Sequence, residues 1–415
     1  MSAELLIRPA YSDSRVIADL LAPGGARQTL GARCPISRLV LDAAIASSQP
    51  GLVENARAAG VPVVIDPMTF LLQYQSDPDK PWSKLPFAVA PPRAAADYTA
   101  PEARREMVRA TVDFQVAGGA TLVVPPYFHA SSPSDPWFEL ALSCIVETAE
   151  YLRDLDNRLP VLPVLTGRLD RFAAPDTLIP GIDRFAATAH KIGAMTVGLQ
   201  LGPVGKPADN YAKVISLFQA ATRLRRPGLA VHAWRQGTHG PALVAAGLQG
   251  YETGIGVGES TDLASVGSRA KPAQPVDDGE DTRSGGPGGF VYIPALHRSI
   301  PTKSAKIIAS NLTTRAMLLC DDQVTCCPDG LESMLGPQRR HHAVRSRARY
   351  LAEIGRMPQA AWRIYKVGQD ARAAVEVAAK ANSVLVAAGS PPLNTSGYLA
   401  AAEAADYLRG SSAVA

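Results

Sequence analysis

Short apolar segments alternate with amphipathic, helix-like stretches along most of this chain, and this alternation limits the possible fold more than any other feature of the sequence. Apolar runs bounded by Gly or Pro suit strands that are buried on both faces. The stretches between them can supply the crossover helices that parallel strands require. Eight segments fit the pattern of such strands: 39–42, 63–66, 122–125, 161–166, 196–201, 229–234, 251–257 and 290–295.

Eight strand and helix units predict a closed (β/α)8 barrel of the TIM type. The chain has 415 residues, which exceeds the roughly 250 residues of a plain barrel, so we expect a mainly helical C-terminal extension. The predicted units are an N-terminal cap at 1–36, the barrel at 37–310, and a C-terminal helical subdomain with a Cys/His cluster at 311–415. Within the barrel, residues 67–98 form a predicted insertion, either a lid or a surface excursion, and residues 265–289 form a predicted flexible loop.

The composition is that of a globular chain, with 47% hydrophobic and 19% charged residues. A net charge of +4 permits an acidic partner but does not require one. We find neither a run of about 18 apolar residues nor a signal-peptide pattern, so the sequence predicts no contact with a membrane and a cytoplasmic location.

Acidic residues lie at the ends of predicted strands, where the active sites of TIM barrels are found. Asp42 ends the first predicted strand, Asp66 ends the second, and Glu252 lies on the seventh. Buried carboxylates that lie close together raise one another's pKa and can then transfer protons near neutral pH. These three are the predicted catalytic residues, although Asp42 and Asp66 can instead cap the loops that follow them.

Further polar, aromatic and glycine residues fall at or near the same strand ends. Arginine can hold an anion, tryptophan can stack on a planar ring, and glycine allows a phosphate to approach the backbone. The alternative for each is a structural role without a ligand. The predicted substrate-binding residues are His129, Arg168, Gln200, His232, Trp234, Arg235, Gly256, Gly258 and Glu259.

Three cysteines crowd together in the C-terminal region, at Cys320, Cys326 and Cys327, and His341 and His342 follow them. Three thiolates and an imidazole are a ligand set for tetrahedral zinc, so we predict a structural zinc ion held by the cysteines and His341. A reduced buried cluster and a disulfide are the alternatives.

A basic segment follows directly, with five arginines and two histidines between 339 and 349. Such a segment makes a positive field for phosphate groups, and we predict that Arg339, Arg340, Arg345 and Arg349 contact nucleic acid. A solvated helix face is the alternative.

The order of these parts resembles that of the tRNA-guanine transglycosylase family, a barrel with a C-terminal subdomain that carries three cysteines and a histidine. The segment 66–70, Asp-Pro-Met-Thr-Phe, is placed like that family's Asp-Ser-Gly-Gly-Phe segment. The resemblance implies that Asp66 is the acid/base group that contacts the incoming base and that Glu252 stands near the position of the nucleophilic Asp. It also implies zinc bound beside the RNA.

Three functions follow from these observations. The favoured one is a transglycosylase-like glycosyltransferase that acts on a nucleobase or nucleoside, in tRNA or DNA, and thus a transferase in tRNA modification. A second is a lyase or hydrolase of a small anionic metabolite. The third is a barrel without catalysis that serves as a binding or assembly component.

Overall fold

Seven parallel strands form one curled sheet in the order β3-β2-β1-β7-β6-β5-β4. The structure is a computed structural model that describes residues 3–22, 36–74, 77–88, 92–172, 175–256, 259–270 and 289–412. The strands of this sheet are β1 (Glu4–Arg8), β2 (Arg38–Asp42), β3 (Val63–Asp66), β4 (Val164–Arg168), β5 (Thr196–Gly202), β6 (Ala230–Ala233) and β7 (Gly250–Gly254).

The two edges of the curled sheet are joined by the backbone of residues 121–123. The Thr121 N–H donates to the Val63 carbonyl at 2.8 Å, and the Val123 N–H donates to the Pro160 carbonyl at 2.9 Å. Parallel bridges pair Val64 with Leu122 and Val123 with Val161. The segment thus takes the place of a strand between β3 and β4. The predicted α/β barrel with a helical extension is confirmed.

One strand of the barrel differs from the sequence-based assignment. Strand β1, which we placed in a cap, lies in the sheet between β2 and β7. The segment assigned as the eighth strand instead forms β8 (Phe290–Ile293), which pairs antiparallel with β9 (Arg298–Pro301). The reason is the turn between them, where His297 has a left-handed backbone with φ of 47° and reverses the chain before any crossover helix can form. The division of the chain into three separate units stays a prediction.

Helices follow the strands around the barrel and then make up most of the C-terminal extension. Two of these helices have side-chain N-caps. The Asp135 carboxylate accepts a hydrogen bond from the Trp137 N–H, and the Asn210 side chain accepts one from the Lys213 N–H. The helices are α1 (Ser14–Leu21), α2 (Ala43–Ser48), α3 (Gly51–Ala58), α4 (Pro101–Ala117), α5 (Pro136–Asp154), α6 (Leu169–Phe172), α7 (Pro175–Lys191), α8 (Tyr211–Leu224), α9 (Gly240–Ala245), α10 (Leu263–Ala270), α11 (Thr302–Ser310), α12 (Leu312–Leu318), α13 (Leu331–Leu335), α14 (Arg339–Arg356), α15 (Ala360–Ala387) and α16 (Ser396–Ser412).

The described part of the predicted insertion packs against the barrel through aromatic side chains. Trp82, Phe87 and Tyr98 are buried, and the Trp82 indole N–H donates to the Pro67 carbonyl at 3.0 Å. Most of the predicted flexible loop lies outside the described residues, which omit 271–288.

Helix α14 belongs to two hydrophobic cores at once. Its Ala343, Val344 and Leu351 lie in the main core of the barrel. Its His342 packs beside a second core that contains the three cysteines and the β8–β9 hairpin. The helix therefore ties the extension to the barrel. Among the described helices, none has the length and apolar character needed to cross a bilayer.

Candidate functional site

Arg8, at the C-terminal end of β1, lies at the centre of a buried group of carboxylates. Its Nη2 donates to Asp66 Oδ2 at 2.7 Å and to Glu252 Oε2 at 3.1 Å. Its Nη1 donates to Asp42, and its Nε donates to the other oxygen of Glu252. One guanidinium group thus binds all three predicted catalytic carboxylates, which come from β2, β3 and β7.

Strand register explains why these side chains meet. Asp42 pairs with Asp66 across β2 and β3, and Leu6 pairs with Glu252 across β1 and β7. Register partners in a parallel sheet point to the same face, and alternate residues share that face, so Arg8 follows Leu6 into the barrel interior. The sequence-based grouping of Asp42, Asp66 and Glu252 is therefore realised in space, with Arg8 between them.

Asp66 is completely buried and has a partner at each oxygen. Its Oδ1 accepts from the Tyr127 hydroxyl at 2.8 Å and from the Met68 N–H at 2.9 Å. Burial alone raises the pKa of this carboxyl, but the charges of Arg8 and Arg235 and the hydrogen bonds from Met68 and Tyr127 outweigh it and hold the pKa below its ordinary value. Asp66 is therefore ionised at neutral pH.

Tyr127 has the opposite behaviour. Burial raises the pKa of its phenol well above the ordinary value, and the neighbouring Asp66 carboxylate raises it further. The phenol keeps its proton at neutral pH and donates it in the hydrogen bond to Asp66. The pair Asp66 and Tyr127 thus consists of a fixed carboxylate and a fixed donor.

Arg235 lies beside this pair on the loop after β6. Its Nη2 is 3.1 Å from Asp42 Oδ1 and 3.8 Å from Asp66 Oδ2, and its buried Nε has no hydrogen-bond partner within the described part of the chain. The backbone of Arg235 is left-handed, with φ of 53°. Met68, which donates to Asp66, has φ of 51°. Non-glycine residues in this conformation cost energy and concentrate at functional sites.

Two predicted binding residues add unpaired polar groups to the barrel interior. Gln200 and Trp234 are fully buried, and neither the Gln200 amide nor the Trp234 indole N–H has a partner among the described residues. The Arg8 guanidinium lies 5.7 Å from the centre of the Trp234 ring. Buried polar groups without a partner are unusual, and a bound water or ligand is one explanation for them.

The remaining predicted binding residues lie apart from Arg8. His232 is in the barrel interior, where its Nε2 lies 3.2 Å from Glu4 Oε2, in a separate group with Arg38. Arg168 pairs with Asp170 on the surface, and Glu259 binds Ser299 and Arg347. His129 is held through its backbone by Gln73, Gly256 lies in a bend after β7, and Gly258 lies outside the described residues.

The arginines of α14 are largely engaged inside the molecule. Arg340 binds Asp13 at 3.0 Å, Arg345 donates to the Thr325 carbonyl, and Arg349 lies 3.3 Å from Asp322. Arg339 also has a partner within the described chain. These contacts attach the helix to its surroundings, and they leave the predicted nucleic-acid surface unsupported.

The three clustered cysteines lie beside a histidine, which is His342 and not the predicted His341. The ligand atoms of Cys320, Cys326, Cys327 and His342 all lie within 4.8 Å of one another, and all four residues are buried. The cysteines are free thiols, so the disulfide alternative does not apply. His341 points elsewhere, with its Nε2 3.4 Å from Asp19. This cluster can hold a metal ion.

Two residues of these sites escaped the sequence-based prediction. Arg8 follows the apolar run Leu5–Ile7 as a charged residue at a strand end, which is the same signal that identified Asp42 and Asp66. Tyr127 follows the predicted third strand two residues after Pro125 and carried no comparable signal.

Comparisons with known proteins concern the fold. No family model and no curated protein matches the chain. Among solved structures, a thiamine phosphate pyrophosphorylase from Pyrococcus furiosus is 12% identical, with a TM-score of 0.30, over 65% of this chain and 97% of that chain. The YdjI aldolase from Escherichia coli K12 is 10% identical, with a TM-score of 0.34, over 85% of this chain and 91% of that chain. A 2,3-dimethylmalate lyase, of the PEP mutase/isocitrate lyase superfamily, is 11% identical, with a TM-score of 0.29, over 65% and 80%.

The predicted membership in the tRNA-guanine transglycosylase family is wrong, because the similar structures include a pyrophosphorylase, an aldolase and a lyase instead. Three predictions that depended on this membership are also wrong: the glycosyltransferase class, the wider transferase class and the role in tRNA modification. Geometry gives a physical reason: both oxygens of Glu252, the substitute for that family's nucleophile, bind Arg8. A carboxylate held in this way is a poor nucleophile.

Proposed function

We propose that the barrel mouth is the active site of a lyase or hydrolase that acts on a small polar metabolite with an anionic group. The observation that carries this proposal is the buried pair of Asp66 and Tyr127, 2.8 Å apart, beside an arginine whose Nε has no partner. This pair fixes Arg8 and Arg235 beside Asp42, and a partly exposed carboxylate next to a cationic N–H is an arrangement that suits general acid–base chemistry on an anion.

Each group has a proposed role. Asp42, the most exposed of the three carboxylates, accepts a proton, either from a substrate carbon as the bond to the leaving group breaks in a lyase, or from the water that attacks the bond to be cleaved in a hydrolase. Arg235 donates a hydrogen bond to the oxygen on which negative charge develops. Asp66, whose two oxygens are already bound, is a positioning residue for Arg8 and Arg235, and Tyr127 donates its single O–H proton to Asp66. Glu252 and Arg8 are positioning residues, since they hold the carboxylates in place.

Charge and polarity limit the substrate. Two guanidinium groups face three carboxylates, so the ionised site carries one excess negative charge. A large polyanion is disfavoured there, whereas one anionic group can be bound by the Nε–H of Arg235. The buried Gln200 amide and the Trp234 indole N–H offer further hydrogen bonds to a small molecule.

Isotope exchange can test this proposal before the natural substrate is known. The protein is incubated with small hydroxy, oxo and phospho acids in deuterium oxide and in oxygen-18 water, and products are followed by NMR and mass spectrometry. Loss of a C–H signal indicates a lyase, and incorporation of heavy oxygen indicates a hydrolase. Asp42→Asn should abolish either reaction, while Asp170→Asn, which changes an exposed carboxylate paired with Arg168, should not. Undiminished exchange in Asp42→Asn would reject the assigned role.

We also propose that the Cys/His cluster holds a structural zinc ion. His342 Nε2 lies 3.0 Å from the Tyr292 carbonyl, which it can reach as a donor, and this leaves Nδ1 to face Cys327 Sγ at 3.3 Å and Cys326 Sγ at 3.5 Å. A histidine ligand that donates its second ring N–H to a carbonyl is usual in zinc sites. Three sulfur atoms and one nitrogen, all buried, suit zinc in a closed site, where the ion would join the hairpin, the 320–327 loop and α14.

A further inference from the structure

A cavity of about 860 Å³ lies in the C-terminal extension and shares no lining residue with the Arg8 site. One face of α14 forms a wall through residues spaced three or four apart, among them Ser346, Tyr350 and Glu353. The turn after β8, helix α12 and Lys366 of α15 complete it. Ligand sites for small molecules commonly have volumes of about 300–1,000 Å³, and this cavity falls in that range.

Aromatic rings line one part of the cavity. The rings of His297 and Tyr350 lie 4.2 Å apart at an angle of 35°, and Tyr292 also lines the cavity. His297 holds the left-handed backbone described above, and its buried Nδ1 has no hydrogen-bond partner within the described ranges. The left-handed backbone fixes the His297 ring beside Tyr350, and non-glycine residues in this conformation concentrate at functional sites.

Charged groups line another part. The cavity contains Arg349, Arg356 and Lys366 against Asp321 and Glu353. Lys366 is paired with Asp370 and Glu353, and Arg349 with Asp322, so their charges are partly compensated. Arg356 is exposed, and the described chain shows no ion pair for it. The cation with most capacity to bind an anion is therefore Arg356.

We propose that this cavity is a second ligand site, which binds a small organic anion with a flat ring. The ring packs against the aromatic groups at His297 and Tyr350, and the anionic group contacts Arg356. The site is independent of the chemistry at the barrel mouth.

Matched probes separate the two parts of the proposal. Phenyl phosphate carries a flat ring and an anion, cyclohexyl phosphate carries the same charge on a ring that is not flat, and benzyl alcohol carries a ring without charge. Isothermal titration calorimetry on the full chain should give the tightest binding for phenyl phosphate. If phenyl phosphate does not bind, the site is refuted, and if cyclohexyl phosphate binds equally well, the aromatic part is refuted.

Variants then locate the binding. Arg356→Gln removes the exposed charge, and His297→Asn removes the imidazole while keeping a residue type that tolerates the left-handed backbone. Each should weaken phenyl phosphate binding by about tenfold, a loss of about one charged or aromatic contact. Arg105→Gln, on an exposed face of α4, is the control and should bind as the wild type does. Unchanged affinity in both cavity variants, with melting temperatures like the wild type, would place any binding elsewhere and overturn the proposal.

Discussion

Arg8 Nη2 lies 2.7 Å from Asp66 Oδ2, and both side chains are buried inside the barrel. The same guanidinium binds Asp42 and Glu252, so a protein side chain supplies the countercharge that a metal ion supplies in many carboxylate sites. An arginine remains charged at any physiological pH. The countercharge of the three carboxylates is therefore a permanent part of the protein.

Removal of this countercharge should destabilise the fold. Arg8→Met keeps much of the side-chain volume but removes the cation that pairs with the buried Asp66 and Glu252 and with the partly exposed Asp42, and it leaves Arg235 beside Asp42 and Asp66. Breaking a buried ion pair in this way costs about 3–5 kcal/mol, and we expect a loss of that size in the free energy of unfolding, measured by urea denaturation.

The control is Arg184→Met, which removes an exposed arginine that pairs with Glu139 on the surface. Because exposed pairs contribute only about 0–1 kcal/mol, its stability should change little. Equal stability of Arg8→Met and the wild type would show that the Arg8 contacts do not stabilise the fold.

Acid should unfold the protein partly through Glu4. Burial raises the pKa of this carboxyl, but hydrogen bonds and charges from His232 and Arg38 outweigh it and lower the pKa to about 2 from the ordinary 4.5. Since the folded pKa is depressed, this stabilisation is complete above pH 4.5 and is lost as the pH falls toward 2. The slope of unfolding free energy against pH in that window should therefore be smaller in Glu4→Gln than in the wild type.

Glu54→Gln is the matched control, because Glu54 is exposed on α3. Its stability should follow the wild-type pH profile. An identical profile for Glu4→Gln would contradict the lowered pKa.

The metal cluster predicts different results for two adjacent histidines. His342→Ala removes the nitrogen that faces Cys326 and Cys327, whereas His341→Ala removes a side chain that lies 3.4 Å from Asp19. Elemental analysis of purified protein should find about one zinc ion per chain in the wild type and in His341→Ala, and much less in His342→Ala. Zinc retained in His342→Ala but lost from His341→Ala would show that His341, the residue predicted from the sequence, is the ligand.

The sequence could not decide between these histidines for a geometrical reason. Neighbouring residues on a helix point about 100° apart, and only the packing of α14 fixes which one faces the cysteines. Asp42 and Asp66, by contrast, were predictable as neighbours, since the end of a buried parallel strand can be read from the apolar run before it.

Strand β1 shows where this type of prediction fails. Its apolar run is as clear as the others, but about thirty residues of sequence separate it from the next predicted strand, and residues 290–293 offered a competing eighth strand. The pattern of apolar residues cannot distinguish a parallel strand of the barrel from one strand of a hairpin. The pairing of β1 with β7 depends on contacts between residues more than 200 positions apart, such as Leu6 with Glu252.

Close packing between β1 and β7 gives a test of that pairing. A Cβ atom added at Gly250 would lie 2.4 Å from the Glu4 carbonyl oxygen, a backbone atom that can move only with its strand. Gly250→Ala should therefore lower the free energy of unfolding by about 1–3 kcal/mol, the usual cost of overpacking. Gly51→Ala is the control, because a Cβ atom there meets nothing within 4 Å and alanine favours the helix. A Gly250→Ala protein as stable as the wild type would argue against β1 as a strand of the barrel.

Helix α14 makes the two halves of the molecule mechanically dependent on each other. Arg347 donates to the carbonyls of Gly254 and Ile255, just beyond Glu252 on β7, while His342, on the same rigid helix, meets the cysteines. Any shift of the helix that tightened or loosened the cysteine cluster would also pull on the strand end that carries Glu252. Loss of the proposed zinc ion would thus affect the carboxylates by moving α14 and the end of β7 rather than by a change in charge.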